Sequence, residues 1–375
     1  MLKTGKPPIV RAITSAPSAL VTQSRRELMT RYALLILPSA NRVYAEAAAS
    51  LTAAELAAFG DSVLGGALSA AEVTRRGGVP YLEFEAGRLG PADCAFLANI
   101  SSLYALFEVT GELLRPVELT GLNRYDDDLI TIQKYQGKTN EQFTKLLLNV
   151  TLLASAFAPH MLSRKLTVLD PLCGRGTTLN QALMYGYDAA GIDEDRKDFD
   201  AYRAFIKTWL TRKRIKHKVA YDGPVRREGK AAGRRLRVSL APSKDEQKAG
   251  RAQELDVVCA DTARANEFFR PATIDLVVTD APYGVQHGSR SAASGLARRP
   301  QDLLAAAVPA WATLLRPGGA IGIAWNTLVA PRAEAAAVLA SAGLEPVGSP
   351  PYLQFKHRVD QAIVRDILVA RKPGG

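Results

Sequence analysis

The chain has 375 residues, and its 48 Lys and Arg residues outnumber its 37 Asp and Glu residues, giving a formal net charge of +11. A hydrophobic content of 47% excludes a wholly disordered protein, and no segment approaches the ~18–20 uninterrupted apolar residues of a membrane-spanning helix. The first thirty residues have no apolar signal-peptide core, and the three cysteines have no C-x-x-C spacing. We therefore expect a cytoplasmic protein without a membrane segment, a disulfide framework or a metal site.

The first third of the chain predicts a small domain behind a flexible leader. Residues 1–30 are polar and contain several prolines, which is typical of a leader outside the core. Residues 31–125 alternate between strand and helix patterns. In chain order these are a strand at 32–38, a helix at 45–59, a strand at 79–84, a helix at 91–100 and a strand at 103–109. This alternation predicts a compact α/β unit of the ferredoxin-like kind.

Residues 126–375 have the pattern of a larger α/β domain. Five short apolar runs alternate with helical stretches, at 166–169, 189–192, 255–259, 274–278 and 320–325. Such runs are typical of parallel strands covered on both faces, so they predict a doubly wound, mostly parallel, Rossmann-like sheet. Segments 347–355 and 363–369 are strand-like with no helix between them. We therefore expect seven strands, of which the last two form an antiparallel hairpin.

A glycine-containing turn follows the first of these strands. Residues 169–178 read L-D-P-L-C-G-R-G-T-T, and a helix pattern begins directly afterwards. In a doubly wound sheet this turn faces the ligand, and Gly174 and Gly176 would let the backbone approach it without Cβ clashes. An ordinary strand-to-helix turn would have the same spacing, because a lone G-x-G is weak evidence.

Three further acids follow strand ends in the same domain. Asp193 closes the second strand, where a carboxylate can accept the hydroxyl protons of a ribose. Asp261 closes the third, where a carboxylate can meet an adenine amino group, and Asp280 closes the fourth. Either Asp193 or Asp261 alone would more often be a helix N-cap or a solvated strand end. At this point NAD is still a possible ligand, although T-T-L follows Gly176 in place of the usual x-x-G.

The segment T-D-A-P-Y-G at 279–284 suits one reaction in particular. An exocyclic amine of a nucleobase is a poor nucleophile, because its lone pair is delocalised into the ring. The Asp280 carboxylate and the Ala281 carbonyl could accept its two N–H groups and turn the lone pair toward a methyl donor. Pro282 would fix the loop, and Tyr283 would stack on the extruded base. The alternative is a strand that ends in a proline turn with a packed tyrosine.

Together, D-P-L-C-G-R-G-T at 170–177 and T-D-A-P-Y-G resemble motifs of class I S-adenosylmethionine-dependent amino-methyltransferases. Y-Q-G-K-T-N at 135–140 and H-R-V-D-Q-A-I-V-R-D-I-L at 357–368 are similar to segments of the tRNA guanosine N2-methyltransferase branch, whose catalytic domain is often joined to a THUMP region. The resemblance implies a methyltransferase sheet that binds S-adenosylmethionine without metal. It also implies cofactor contacts from Lys138, Thr139, Asn140, Asp170, Gly174, Gly176, Thr177, Asp193 and Asp261.

Three points qualify what the resemblance implies. The segment around Lys138, Thr139 and Asn140, expected near the methionyl carboxylate, could instead be a helix start in which Thr139 or Asn140 is the cap. Ala281 stands where the family usually has a first proline, so we expect either a less rigid loop or a different target amine, while the carbonyl is still available. The N-terminal domain is too short for both a ferredoxin-like module and a full THUMP domain.

The excess positive charge lies in one stretch. Residues 207–251 hold 15 Lys or Arg and 4 Asp or Glu, and they form a basic insertion at about 211–252 between two strands. We expect an arm that contacts phosphates, with a solvated, flexible insertion as the alternative. The candidate nucleic-acid contacts are Arg212, Lys213, Arg214, Lys216, Arg226, Arg227, Arg234, Arg235 and Arg237.

The sequence as a whole predicts an S-adenosylmethionine-dependent methyltransferase that acts on an exocyclic amine in RNA, with N2 of guanosine in tRNA as first choice. A DNA adenine N6- or cytosine N4-methyltransferase could use the same loop, but no separate target-recognition domain is evident. A non-catalytic RNA-binding protein on a methyltransferase fold is the alternative of another class. A dinucleotide oxidoreductase would leave the D-A-P-Y segment without a role.

Overall fold

The computed structural model describes residues 29–39, 41–64, 68–227, 229–281 and 300–374. Most of the predicted leader lies outside these ranges, as do Pro282 and Tyr283. The described residues form two sheets flanked by helices. Among them, no helix combines the length and the apolar character needed to span a bilayer.

The smaller sheet is antiparallel throughout, with the strand order β2-β3-β1-β4-β5. Its strands are β1 (Thr30–Ile36), β2 (Glu72–Arg76), β3 (Val79–Ala86), β4 (Leu103–Thr110) and β5 (Leu113–Pro116). Helix α1 (Arg42–Ser62) joins β1 to β2, and α2 (Pro91–Leu97) joins β3 to β4. The element order is therefore β-α-β-β-α-β, with β5 added at one edge. The sequence missed β2 and β5, which are short edge strands without an apolar run.

The larger sheet has ten strands in the order β13-β15-β12-β11-β6-β7-β10-β9-β8, with β14 paired to β15. The strands are β6 (Thr167–Asp170), β7 (Asp188–Asp193), β8 (Lys216–Arg227), β9 (Lys230–Ala241), β10 (Gln253–Cys259), β11 (Ile274–Asp280), β12 (Leu315–Asn326), β13 (Glu345–Pro346), β14 (His357–Arg358) and β15 (Val364–Arg371). The helices are α3 (Asp128–Thr131), α4 (Glu141–Ala154), α5 (Thr177–Met184), α6 (Arg196–Arg212), α7 (Lys244–Lys248), α8 (Ala265–Phe268), α9 (Pro300–Leu314) and α10 (Arg332–Ser341).

The five predicted parallel strands form the centre of this sheet. β12, β11, β6, β7 and β10 pair side by side and run parallel, as the apolar runs predicted. Helices α4, α5 and α6 pack on one face, and α8, α9 and α10 pack on the other. The sheet is thus buried on both sides, which explains why its strands are almost continuously apolar.

The predicted count of seven strands is wrong. The additional strands are β8 and β9 at one edge and the two-residue strands β13 and β14 at the other. β15 pairs antiparallel with β12, β13 and β14, so the antiparallel end of the sheet is present. The expected strand at 347–355 is also wrong, because a 3-10 turn forms at Pro350–Leu353. Its two prolines cannot donate to a strand ladder.

The basic insertion is a β-hairpin that widens the sheet. β9 pairs antiparallel with β10 over seven residue pairs, and β8 pairs antiparallel with β9. Leu236, Val238 and Leu240 of β9 are fully buried on one face. We call residues 216–241 the basic hairpin. The alternative of a flexible insertion is wrong, because the alternation of apolar and polar residues in β9 makes the segment part of the sheet.

The N-terminal sheet and the larger sheet share one hydrophobic core. A buried polar cluster crosses between them. The Glu55 carboxylate of α1 accepts hydrogen bonds from the backbone N–H of Ser101 at 3.0 Å and from Asn149 Nδ2 of α4 at 2.6 Å. Tyr185 donates its hydroxyl to Asn149 Oδ1 at 2.8 Å. These contacts connect α1 to the helices that cover the larger sheet.

Candidate active site

The predicted acids come together where the parallel strands end. β6, β7 and β11 end at Asp170, Asp193 and Asp280, and Asp261 lies two residues beyond the end of β10. Because these neighbouring strands are parallel, their carboxyl ends lie on one edge, which we call the carboxyl edge. In doubly wound sheets the ligand crevice lies at this edge.

The two glycines of the turn between β6 and α5 have different structural roles. Both are in the left-handed region, with φ of 47° at Gly174 and 79° at Gly176. A Cβ on Gly176 would lie 2.3 Å from the ring of Tyr202, so packing excludes a side chain there. A Cβ on Gly174 would meet no described atom within 4 Å. Within the described part of the chain, the space beside Gly174 is therefore open, and a ligand could approach the backbone there.

Asp193 holds this turn in place. Its Oδ2 accepts a hydrogen bond from the backbone N–H of Gly174 at 2.8 Å, and its Oδ1 accepts one from Asp195 N at 2.9 Å. Desolvation by burial is the main cause that raises the pKa of Asp193 to about 6, against the opposing effect of these two hydrogen bonds. The carboxylate thus both fixes the glycine turn and faces the carboxyl edge.

Asp170 connects the glycine turn to the D-A-P-Y segment. Its Oδ1 accepts hydrogen bonds from Leu172 N at 3.1 Å and from the Thr279 hydroxyl at 2.9 Å. The side chain is only 4% exposed, and this burial raises its pKa to about 7. Thr279 directly precedes Asp280, so the two halves of the predicted site share one buried hydrogen bond. No sequence pattern indicated this role for Thr279.

Asp261 has the helix-capping role that its sequence position also allowed. Its Oδ1 accepts a hydrogen bond from Ala263 N at 2.9 Å, at the start of the 3-10 turn Thr262–Arg264. A carboxylate has two oxygens with several acceptor positions, so this cap leaves acceptor capacity at the carboxyl edge. Contact with an adenine amino group stays a prediction.

Two side chains from distant elements surround the Asp280 carboxylate. The Thr139 hydroxyl donates to Asp280 Oδ2 at 2.7 Å. A guanidinium nitrogen of Arg365, on β15, lies 3.7 Å from the same oxygen. The next residue, Ala281, donates its backbone N–H to Ala324 O at 2.8 Å, so pairing with β12 continues past the end of β11. This pairing holds the backbone of Asp280 and Ala281 firmly at the edge.

The segment before α4 has partners other than those that the resemblance implies. Lys138 donates to Ile130 O at 2.7 Å and forms an ion pair with Glu141. Asn140 caps α4, because its Oδ1 accepts a hydrogen bond from Phe143 N at 3.0 Å. The helix start that the sequence allowed is therefore present. Roles toward the cofactor for Lys138, Thr139 and Asn140 stay predictions.

Several residues around the site were not identified from the sequence. The Tyr135 hydroxyl and the Thr177 hydroxyl lie 3.0 Å apart, and the Arg175 guanidinium lies 4.8 Å from the centre of the Tyr135 ring. These contacts hold residues before α4 against the glycine turn. The Y-Q-G-K-T-N similarity was the only signal for Tyr135.

The buried surroundings of Arg365 were also missed. Its guanidinium lies 4.2 Å from the centre of the Phe143 ring, and the side chain is only 7% exposed. His357 packs against the same ring, with centroids 5.3 Å apart. Burial lowers the pKa of His357 to about 4, so its imidazole is neutral at neutral pH. Of these two side chains, Arg365 alone brings a positive charge toward Asp280.

The nine candidate nucleic-acid contacts do not form one patch. Those from 212 to 216 lie where α6 ends and β8 begins, on the opposite edge of the sheet from the carboxyl ends, and Lys213 pairs there with Asp126 and Asp128. Those from 226 to 237 lie toward the carboxyl edge. Arg235 among them is held internally, by a double hydrogen bond to Asp256 at 2.5 and 2.6 Å.

The arrangement of carboxylates and glycines suits an adenosyl cofactor. Asp193 and Asp170 supply acceptors beside a turn whose Gly174 is open to close approach. Ribose hydroxyls donate to such carboxylates, and a sulfonium cation is favoured near negative charge. The residues present therefore fit S-adenosylmethionine.

The comparison with protein families agrees with this geometry. Residues 148–317 match a family model described as "RMKL-like, methyltransferase domain". Over this domain the chain resembles class I S-adenosylmethionine-dependent methyltransferases, including the THUMP-associated tRNA methyltransferases, which confirms the resemblance that the motifs indicated. S-adenosylmethionine is its cofactor. No curated protein sequence matches the chain significantly.

Solved structures similar to the chain include TrmN from Thermus thermophilus, at 16% identity and a TM-score of 0.37, covering 80% of this chain and 59% of that one. The chain thus spans less than two thirds of the length of TrmN. The rRNA methyltransferase aviRa from Streptomyces viridochromogenes has 15% identity and a TM-score of 0.36, over 66% and 94%. The 1,6-didemethyltoxoflavin-N1-methyltransferase of Burkholderia thailandensis has 17% identity and a TM-score of 0.33, over 59% and 76%. At such TM-scores, none of the three bears on the substrate.

Proposed function

We propose that this protein methylates an exocyclic amine of a nucleobase in RNA, with N2 of guanosine in tRNA as the first candidate. The observation that carries the proposal is the position of the Asp280 carboxylate. It lies at the end of β11, held by Thr139 and faced by Arg365, and it is joined through Thr279 to the carboxylate of Asp170 beside the glycine turn.

The cofactor would lie along the carboxyl edge. Asp193 would accept the ribose hydroxyls, and Asp170 and the backbone at Gly174 would border the methionine part. When bound, S-adenosylmethionine supplies an electrophilic methyl group. The task left to the protein is to orient a weak nucleophile toward that group and to exclude water.

Asp280 and Ala281 would orient the amine. The carboxylate accepts one N–H and the Ala281 carbonyl accepts the other, so that the nitrogen lone pair turns toward the methyl group. A new N–C bond forms as the C–S bond breaks, and the electron pair of that bond leaves with the sulfur. The extra proton on nitrogen then passes to Asp280 or to solvent. The resemblance assigns loop rigidity to Pro282 and base stacking to Tyr283.

The first prediction tests the role of Asp280. Asp280→Ala removes the main acceptor for the amine, so we expect methyl transfer to fall by about two to three orders of magnitude, whereas S-adenosylmethionine affinity should change little. Asp280→Asn keeps one acceptor oxygen and should lose less activity. The assay incubates the protein with labelled methyl donor and total tRNA, rRNA or DNA, and mass spectrometry identifies the methylated nucleoside.

The matched control is Asp245→Ala, an exposed aspartate on α7, which should keep full activity. Label in N2-methylguanosine from tRNA would support the first candidate. Label in DNA alone would instead support a DNA adenine or cytosine methyltransferase. Full activity of Asp280→Ala would contradict the assignment of this loop, and no transfer to any of the three nucleic acids would contradict the proposed function.

A further inference from the structure

The basic hairpin projects beyond the carboxyl edge of the sheet. The last residue of β10, Cys259, pairs with Arg234 of β9 and also with Asp193 of β7. The hairpin continues past this point to its turn at Gly229, which has a φ of 76°. Five residues of strand at ~3.3 Å each give a reach of roughly 16 Å beyond the edge. The turn therefore extends on the same side as the cofactor acids.

The distal half of the hairpin, residues 221–237, carries more cations than the described carboxylates around it can neutralise. Asp256 faces both Arg235 and Arg237, and Asp222 faces both Arg203 and Lys207. In both groups one carboxylate pairs with two cations, so each group has a net charge of +1. Arg226 and Lys230, near the turn, are exposed and form no ion pair with any other described residue.

A shallow depression lies on one face of this distal half. Its volume is about 430 Å³, and its lining includes Tyr221, Val225, Arg226, Arg235 and Arg237. The Tyr221 ring is 42% exposed. The surface thus combines a partly apolar floor with guanidinium groups, of which Arg237 is half exposed. Guanidinium groups suit phosphate oxygens, because their fork of donors can bind two oxygens at once.

The N-terminal domain is the other surface that could hold a polyanion, but its charge is unfavourable. Residues 31–125 contain 7 Arg and no Lys against 10 Asp and Glu. A phosphate backbone would meet a net negative surface there. The cations at 212–216 lie on the opposite edge of the sheet from the site. From Lys216 to Pro224, which is level with the carboxyl edge, β8 rises roughly 26 Å at ~3.3 Å per residue.

We propose that the distal half of the basic hairpin binds the phosphate backbone of the RNA substrate at nucleotides that flank the target. This inference rests on the proposed function. β9 is four strand positions from β11, which at ~4.8 Å per strand is about 19 Å. The hairpin is therefore too far from Asp280 to contact the target base and lies where the neighbouring backbone would pass.

The second prediction is tested by charge reversal. The variant Arg226→Glu/Lys230→Glu replaces two cations with anions near the turn, so RNA affinity should fall about tenfold or more. The slope of affinity against salt concentration should also decrease, by an amount that corresponds to about one to two fewer released counterions. The KM for RNA should rise, while affinity for S-adenosylmethionine stays unchanged. Binding is measured by fluorescence anisotropy with a labelled tRNA transcript across salt concentrations, without methyl donor.

The control variant, Lys244→Glu/Lys248→Glu, makes the same change of charge on the exposed helix α7 at the opposite edge. It should bind tRNA as the unaltered protein does. The proposal would be overturned if both variants lost the same RNA affinity, or if neither variant lost any. Failure of the unaltered protein to bind the transcript would also overturn it. Because binding is read without methyl transfer, this outcome is independent of whether the enzyme methylates N2 of guanosine.

Discussion

Asp170 and Asp193 carry an electrostatic cost that the cofactor can offset. Burial raises the pKa of Asp170 to about 7 and that of Asp193 to about 6, so near neutral pH the unliganded protein holds partly protonated carboxyl groups. A sulfonium cation and hydroxyl donors favour the ionised forms. Cofactor binding should therefore release protons below about pH 7 and weaken as the pH falls.

The third prediction concerns the stability of Asp170→Asn. Because the folded-state pKa lies above the unfolded value, the protonated group stabilises the fold fully below about pH 4, and this contribution is lost as the pH rises through 7. At about 1.4 kcal/mol per pH unit, the ionised carboxylate could lower the free energy of unfolding by up to about 4 kcal/mol. Asparagine keeps the acceptor oxygen for Leu172 N and Thr279 without the charge.

We expect Asp170→Asn to raise the free energy of unfolding of the unliganded protein by about 1–3 kcal/mol at pH 8 and by much less at pH 5, where the native carboxyl group is already protonated. Urea unfolding at the two pH values measures this difference, and calorimetry should show weaker binding of S-adenosylmethionine. An equal effect at both pH values would contradict the cause given for the raised pKa.

We expect Arg365 to act as a positioning residue for Asp280. Its guanidinium lies between the Phe143 ring, at 4.2 Å, and Asp280 Oδ2, at 3.7 Å. Residues on β15 and α4 thus fix the direction of a carboxylate on β11. If Arg365 acts through this carboxylate, its loss should affect the chemical step more than it affects binding.

The fourth prediction compares Arg365→Met with Arg365→Lys. Methionine keeps the apolar packing but removes the charge, so kcat should fall about tenfold or more while the KM for S-adenosylmethionine stays within about twofold. Lysine should restore part of kcat, because it returns a positive charge without the planar fork. The control is Arg371→Met, an exposed position at the end of the same strand. Equal loss of kcat in Met and Lys variants, with lowered thermal stability in both, would indicate a structural role only.

At the scale of elements, burial decides what the sequence predicts. The five parallel strands are covered on both faces, so their apolar runs stand out and were predicted within a few residues of their bounds. β9 carried a signal too, since R-L-R-V-S-L at 235–240 alternates with a period of two. The cations in that segment suggested a solvated arm, although they occupy only the face opposite Leu236 and Val238.

Site residues could be predicted from the sequence only where they belong to a short local motif or end a recognisable strand. Asp170, Asp193 and Asp280 each end an apolar strand, so the sheet topology alone brings them together. Thr139, two residues before α4, and Arg365, on β15, approach Asp280 from 141 residues earlier and 85 residues later. No local spacing encodes such contacts, because they depend on how helices and strands pack.

Over the whole molecule, the acidic N-terminal domain and the catalytic domain pack together through one hydrophobic core. Glu55 is wholly buried between them, and burial raises its pKa, although the hydrogen bonds from Asn149 and Ser101 lower it. Removing Asn149 would leave this carboxyl group and the Tyr185 hydroxyl each short of a partner. A buried polar group without its partner costs about 1–3 kcal/mol.

The fifth prediction follows from this shared cluster. Asn149→Ala should lower the free energy of unfolding by about 2–4 kcal/mol, and the protein should still unfold in one transition. Trp209, Trp311 and Trp325 all lie in the catalytic domain, so their fluorescence reports that domain, whereas far-ultraviolet circular dichroism reports both. The two signals should coincide in urea and shift together, and the exposed control Gln354→Ala should leave them unchanged. Two separate transitions in the unaltered protein would show that the domains unfold independently. The loss of Asn149 would then not be shared by both domains, and the prediction would be wrong.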